Sequence, residues 1–345
     1  EVRFEGPGVH GGSTVQGHLA ETRITVLDPV GPGVDPQHLN PHIDYAQRHT
    51  DPGADHAAID AQIPHSLATP LQVVVSDDVE DQKLYVAAFG SARIGVFAAS
   101  TIEDPLFETS FDPTTASAGY IDTAGGPAGL ALRGERLYVL TRFDNAVSVY
   151  DVGSDEATRM QTLRLPNAEP ASIVEGRPVL YDAVATSGNG EASCASCHIF
   201  GDFDSLAWNL GNPDDPSTSN PQQLPPLAPG QAPDFHPMKG PMTTQTLRGL
   251  STHGGMHWRG DRTNGFFNPA PSPCLVATEG DCDEQLSFDN FIVAFEGLIG
   301  HEGLIPTSEM QKFTDFALQL MPPPNPVAPI DGSATPAQAL GRTHY

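Results

Sequence analysis

The chain has 345 residues, 43 acidic against 17 Lys and Arg side chains, a formal charge of −26 and 39 % hydrophobic content. That length suggests two or three domains with real cores, and no apolar run approaches the roughly 18 residues of a membrane span. The charge argues against nucleic acid and anionic membranes as partners, because their phosphates are repelled. It leaves a solvated, salt-tolerant surface or a docking field for a basic redox partner. With 34 Gly and 33 Pro, loops and turns are expected to dominate over long helices. Glu1-Val2-Arg3 reads as mature or internal sequence, with an export signal removed or lying upstream.

Residues 1–66 are rich in Gly, Pro, Asp and His and read as ordered loop, with one strand-like run at Thr22-Arg23-Ile24-Thr25-Val26-Leu27. Seven of the thirteen histidines lie here: His10, His18, His38, His42, His49, His56 and His65. Residues 67–183 contain an internal repeat. Leu84-Tyr85-Val86 followed by Ile94-Gly95-Val96-Phe97 aligns with Leu137-Tyr138-Val139 followed by Val147-Ser148-Val149-Tyr150. The offset is constant at 53 residues (138 − 85 and 150 − 97). Each copy is a run of short strands separated by turn residues, opened by Pro70 or Pro127. That is the pattern of a propeller blade, and it resembles the YVTN-type repeat of bacterial surface and periplasmic propellers. Two copies fall short of the about four to eight blades that close a propeller. The expectation is therefore the carboxy-terminal part of a longer protein, with a two-sheet sandwich as the alternative. Residues 184–330 change character. Helical patterning runs over 288–295 and 308–320, where Met310, Phe313, Phe316, Ala317 and Leu320 share a face and Pro322-Pro323-Pro324 stops the helix. Residues 331–345 read as a tail.

Within that third segment, Cys194-Ala195-Ser196-Cys197-His198 spells C-x-x-C-H, the attachment signature of a c-type haem. Two thiols add across the two vinyl groups of one haem, and the following imidazole is the proximal iron ligand. A redox dithiol or half a zinc site is the competing reading. The adjacent histidine, and the lack of a second C-x-x-C, favour one covalent haem c. The other two cysteines, Cys274 and Cys282, can close a short disulfide loop. That fits an oxidising, periplasmic or extracellular compartment, where haem c is also attached.

Around the motif a further resemblance is visible. Thr246-Leu247-Arg248-Gly249, then Met256-His257-Trp258-Arg259-Gly260, is similar to bacterial di-haem cytochrome c peroxidases. Closer still is a family of large bacterial proteins in which a YVTN-type propeller precedes one such cytochrome domain. The resemblance covers most of residues 67–325 and departs from the peroxidases in having a single C-x-x-C-H. It implies a multidomain architecture: all-β, propeller-like blades followed by a mainly α-helical c-type cytochrome domain.

The sixth iron ligand is open. Met238, Met242 and Met256 lie downstream of His198 as thioether donors, which raise the potential. His257 is the imidazole alternative, which lowers it. His236, His253 and the amino-terminal His38 and His42 are weaker candidates. Arg248 and Arg259 suit haem propionates through bidentate pairing or act as domain-locking ion pairs. Arg262 is a further cation in this stretch. Trp258 fits a haem edge or domain interface, and Trp208 a similar packing anchor. Asp202 and Asp204 form a candidate Ca²⁺ pair, with a solvated loop as the alternative. The expected function is single-haem electron transfer with the blades as scaffold. A peroxidase-like enzyme using His257 and a non-catalytic binding or sensor protein are the competing readings.

Overall fold

The computed structural model describes residues 18–49, 51, 53–209, 241–252, 256, 283–329 and 331–344. The alternation of Val, Leu and Tyr with small or polar residues between 70 and 164 produces two four-stranded antiparallel meanders. A short ribbon precedes them: β1 (Arg23–Leu27) pairs with β2 (Val34–His38). The first meander holds β3 (Pro70–Val75), β4 (Lys83–Ala88), β5 (Arg93–Ala98) and β6 (Ile121–Asp122) in that order. The second holds β7 (Pro127–Arg133), β8 (Arg136–Thr141), β9 (Ala146–Asp151) and β10 (Thr158–Arg164).

The two meanders share one register. Tyr85 pairs with Val96, and Tyr138 with Val149, at the same 53-residue offset (138 − 85 and 149 − 96). Each first strand opens on a proline and carries a bulge just after it, between Pro70 and Gln72 and between Pro127 and Gly129. Proline is tolerated at such a position because the bulge leaves a residue outside the ladder. The second meander turns from β7 to β8 through Gly134-Glu135, with Gly134 at φ +53° as a two-residue hairpin loop requires.

The meanders stack face to face. Tyr85, Ala87 and Ile94 of the first interdigitate with Leu130, Leu137, Val139 and Tyr150 of the second. The side chain of Gln72 locks the edge strands β3 and β7 together. Its Nε2 donates to Leu130 O at 3.0 Å, and its Oε1 accepts from Leu130 N at 2.7 Å. On the other face of the first meander, Val86, Ala88 and Phe97 pack with Leu39, Leu67, Ile102 and Phe107, and Ile24 and Val26 lie against them. Amino-terminal residues thus cover that face.

Below the sheets, helix Ala171–Tyr181 runs along helix Thr307–Ala317. Gly176 makes that approach possible: a Cβ there would collide with the Lys312 carbonyl and with Phe316 Cβ. The core between them holds Val179, Leu180, Phe288, Phe295, Met310, Phe313 and Phe316. Phe89, from the turn after β4, sits edge-on to Tyr181 at 4.9 Å and to Phe143 at 5.2 Å, and so joins the sheets to this core.

The architecture corrects the expectation of propeller blades followed by a mainly helical cytochrome domain. Among the described residues the strands form no closed propeller or barrel: two meanders and two short ribbons are separate sheets. Beyond residue 184 the described α-helices are short: Glu284–Asp289, Val293–Gly297, Thr307–Ala317 and Pro336–Arg342, with a ribbon of β11 (Ala207–Asn209) and β12 (Pro241–Thr243). They do not make a mainly helical domain. The physical reason lies in helix breakers. The pattern over 288–295 is interrupted by a tight 3₁₀ turn at Asn290–Ile292. The following helix ends at Gly297, and Gly300 and Gly303 adopt φ of +72° and +68°. No helix among the described residues is long and apolar enough to cross a membrane.

Candidate functional site

The C-x-x-C-H motif lies on a single capped turn. The Ser196 hydroxyl caps the 3₁₀ turn Cys194–Ser196, and Ser196 N donates to the Ser193 carbonyl at 2.9 Å. Ser193 N donates to Ser196 Oγ at 3.1 Å. The turn closes through Cys197 N and His198 N, both donating to Cys194 O, at 3.3 and 2.9 Å. Cys197 lies close enough to feel the charge of Cys194, and His198 follows on the same hydrogen-bonded turn. Immediately beyond, Phe200 adopts a left-handed φ of +52°, a conformation uncommon for a bulky residue and characteristic of functional turns. Leu247 N then donates to Gly201 O at 3.1 Å and ties the turn to the 241–252 segment.

Burial sets the chemistry of the sulfurs. It pushes both the Cys194 and the Cys197 thiol up to about 12, and the Asp204 carboxylate adds to the effect at Cys197. Both thiols are therefore held neutral. A dithiol nucleophile needs the opposite environment, with a depressed thiol pKa. Beside the turn, Ile199, Phe200, Phe203 and Leu206 are large apolar side chains exposed to solvent, Phe200 at 57 %.

The loop that leads into the turn is clamped from the amino-terminal segment. Glu191, three residues before Cys194, is fully buried. Its Oε1 accepts from Thr22 N at 2.9 Å, His38 Nε2 at 2.7 Å and Asn40 Nδ2 at 2.8 Å, and the Tyr45 hydroxyl donates to Oε2. Burial alone would raise the Glu191 pKa. The charge of His38 and the hydrogen bonds from His38, Tyr45 and Thr22 outweigh it and hold the carboxyl below its ordinary value. The same burial, with the Glu191 charge behind it, pushes the Tyr45 phenol well above its usual range. Asn40 also bridges the Leu67 backbone in both directions, at 2.8 and 2.7 Å, and Ser66 Oγ donates to Asn189 O at 2.6 Å. Gly188 lies against the Gly300 carbonyl, where a Cβ would collide, so this loop is held from the carboxy-terminal side as well.

The structure brings some expected residues together and not others. Met256 is buried in the apolar cluster against which Cys194 packs, together with Leu247 and Ala195. Met242 sits on β12 opposite Trp208 of β11. Arg248 pairs with Asp202 at 3.0 Å and reaches Phe200 O at 3.4 Å. Trp208 is buried and donates to Asp204 Oδ2 at 2.7 Å. Asp202 and Asp204 thus have separate partners. His42 Nε2 donates to Gln62 O at 3.0 Å, and His38 belongs to the Glu191 clamp. Met238, His257, Trp258, Arg259, Arg262, His236, His253, Cys274 and Cys282 lie outside the described residues. The Glu191 clamp was not anticipated. Its signals were an acid among small residues before the motif and a surplus of histidines before residue 66.

Comparison with protein-family models, with curated proteins and with solved structures finds no match to this chain. The chemistry of the site therefore rests on its own residues.

Proposed function

We propose that Cys194 and Cys197 hold one covalent haem c with His198 as its proximal ligand, and that the chain is a one-electron carrier. The observation that carries this reading is the capped turn: two partly buried cysteines whose thiols are held neutral and the histidine directly after them, beside exposed Ile199, Phe200, Phe203 and Leu206. These residues fit the group. The sulfurs form uncharged thioethers whose burial carries little penalty, and the exposed apolar side chains would lie against a flat apolar macrocycle. When bound, the haem supplies a reversible one-electron change at its iron. The chain's own contribution is placement: Ser193 and Ser196 fix the turn, and Glu191 anchors the loop before it. Met256, buried with Cys194, is the described residue best suited to a second axial position. The formal charge of −26 favours a basic redox partner, and covalent haem c implies an oxidising, periplasmic or extracellular setting.

The test is a redox titration of the full chain produced with haem-attachment machinery. The expected result is a single haem whose optical spectrum titrates as a one-electron couple, with Met256→Ala shifting its midpoint. Efficient turnover of peroxide by the same preparation would replace electron transfer with the peroxidase-like reading.

A further inference from the structure

Away from the C-x-x-C-H turn, a second group of ligating side chains joins distant parts of the chain. His49, with its side chain 2 % exposed, lies 3.0 Å from Asp60 Oδ1 through Nε2. Its Nδ1 is buried and has no hydrogen-bond partner among the described residues. A buried polar nitrogen left in that state demands an explanation. The His56 ring stands edge-on to it, with centroids 5.2 Å apart and planes at 86°. His56 Nδ1 in turn meets Glu302 Oε1 at 2.8 Å. One nitrogen from each imidazole and one Glu302 oxygen all lie within 4.8 Å of one another.

We propose that His49, His56 and Glu302 form a binding site for a divalent transition-metal ion of the Zn²⁺ type. Two imidazoles and a carboxylate are a donor set such ions accept at about 2.0–2.2 Å, leaving a fourth position for water. Ligand atoms around a tetrahedral ion with those bonds are about 3.5 Å apart, so the three groups close on it with a small inward shift. His56 and Glu302 are able to make that shift, since their side chains are 44 % and 59 % exposed. With Nε2 engaged by Asp60, Nδ1 is the His49 nitrogen left to take the ion. A carboxylate on the outer nitrogen is the usual arrangement behind a metal-bound histidine. The floor of the site is buried and its rim is open, which gives the ion a way in. Because His56 and Glu302 are 246 positions apart, the ion would staple the amino-terminal segment to the stretch leading into helix Thr307–Ala317.

The test uses the untagged full chain carrying Cys194→Ser and Cys197→Ser, stripped with a chelator and titrated with Zn²⁺ by calorimetry. The same chain is titrated with Co²⁺ and its visible spectrum recorded. The expected result is one equivalent bound, a tetrahedral-type Co²⁺ spectrum and a Tm that rises with Zn²⁺. His56→Ala and Glu302→Gln, both on the exposed rim, each weaken Zn²⁺ at least tenfold while leaving the metal-free Tm close to that of the parent. Absence of saturable binding would overturn the proposal, as would affinity unchanged in both variants.

Discussion

Glu191 Oε1 and His38 Nε2 are 2.7 Å apart, with side chains 1 % and 9 % exposed, across 153 positions of sequence. The contact fastens the amino-terminal segment to the loop that carries the cysteine motif. Glu191→Ala leaves His38, Asn40, Tyr45 and the Thr22 amide without their acceptor. Breaking a buried pair on one side costs about 3–5 kcal/mol. Urea unfolding should show that loss, and limited proteolysis should newly cut within residues 18–66. Glu191→Gln keeps one acceptor oxygen and should lose less. Equal stability of Glu191→Ala and the parent would remove the clamp from the account.

Close helix packing gives a second prediction. The Cβ of Gly176→Ala would strike the backbone of Lys312 and the Cβ of Phe316, so the two helices must move apart. Overpacking of this kind costs about 1–3 kcal/mol. Thermal melts should place Gly176→Ala below the parent, although alanine is the better helix former. A variant as stable as the parent would show that the helices tolerate separation.

Acid stability should fall in two stages. Burial pushes His42 down to about 4, so His42 contributes stability that is complete above its unfolded value near 6.5 and is lost as pH falls towards 4. Glu169 is held down to about 2, first by the hydrogen bond from Arg142 and then by Arg177 against the effect of burial. Its contribution is complete above about 4.5 and disappears between there and 2. Unfolding free energy measured from pH 8 to 3 should therefore begin to drop near 6.5. His42→Gln should flatten the upper stage and leave the lower one. A profile unchanged by His42→Gln would contradict the assignment.

The contact between the meanders can be probed at Gln72. Its amide bonds both the N–H and the carbonyl of Leu130. Gln72→Ala removes two hydrogen bonds, each worth about 0.5–1.5 kcal/mol net. Gln72→Glu retains the acceptor but not the donor, and should fall between. Amide exchange at Leu130 should accelerate in Gln72→Ala, and protection equal to the parent would count against this bridge.

The parts legible in the sequence were those with a short-range or strictly periodic signal. The 53-residue offset between Tyr85 and Tyr138 is preserved as an identical strand register, because turn chemistry and alternation are local. The helical stripe of Met310, Phe313 and Phe316 appears in helix Thr307–Ala317 and faces the core. The spacing of Cys194, Cys197 and His198 already placed them together. Three things were not legible. How the sheets end depends on what covers each face, and Ile24, Val26, Leu39 and Leu67 cover one face of the first meander with no periodic signal. The helical domain expected after residue 184 was overridden by glycines whose positive φ only the folded chain reveals. The Glu191 clamp joins residues 146 to 169 positions apart, a separation at which no local pattern operates.

The central claim is that the Cys194–Cys197 pair holds a haem covalently, and the mass of the intact chain tests it most directly. Produced in a periplasm equipped for haem attachment and denatured before analysis, the chain should carry the mass of one haem. Neither cysteine of the motif should then react with an alkylating reagent, and Cys194→Ala with Cys197→Ala should return the unmodified mass. An intact chain at its bare sequence mass, with both motif thiols open to alkylation, would contradict the account.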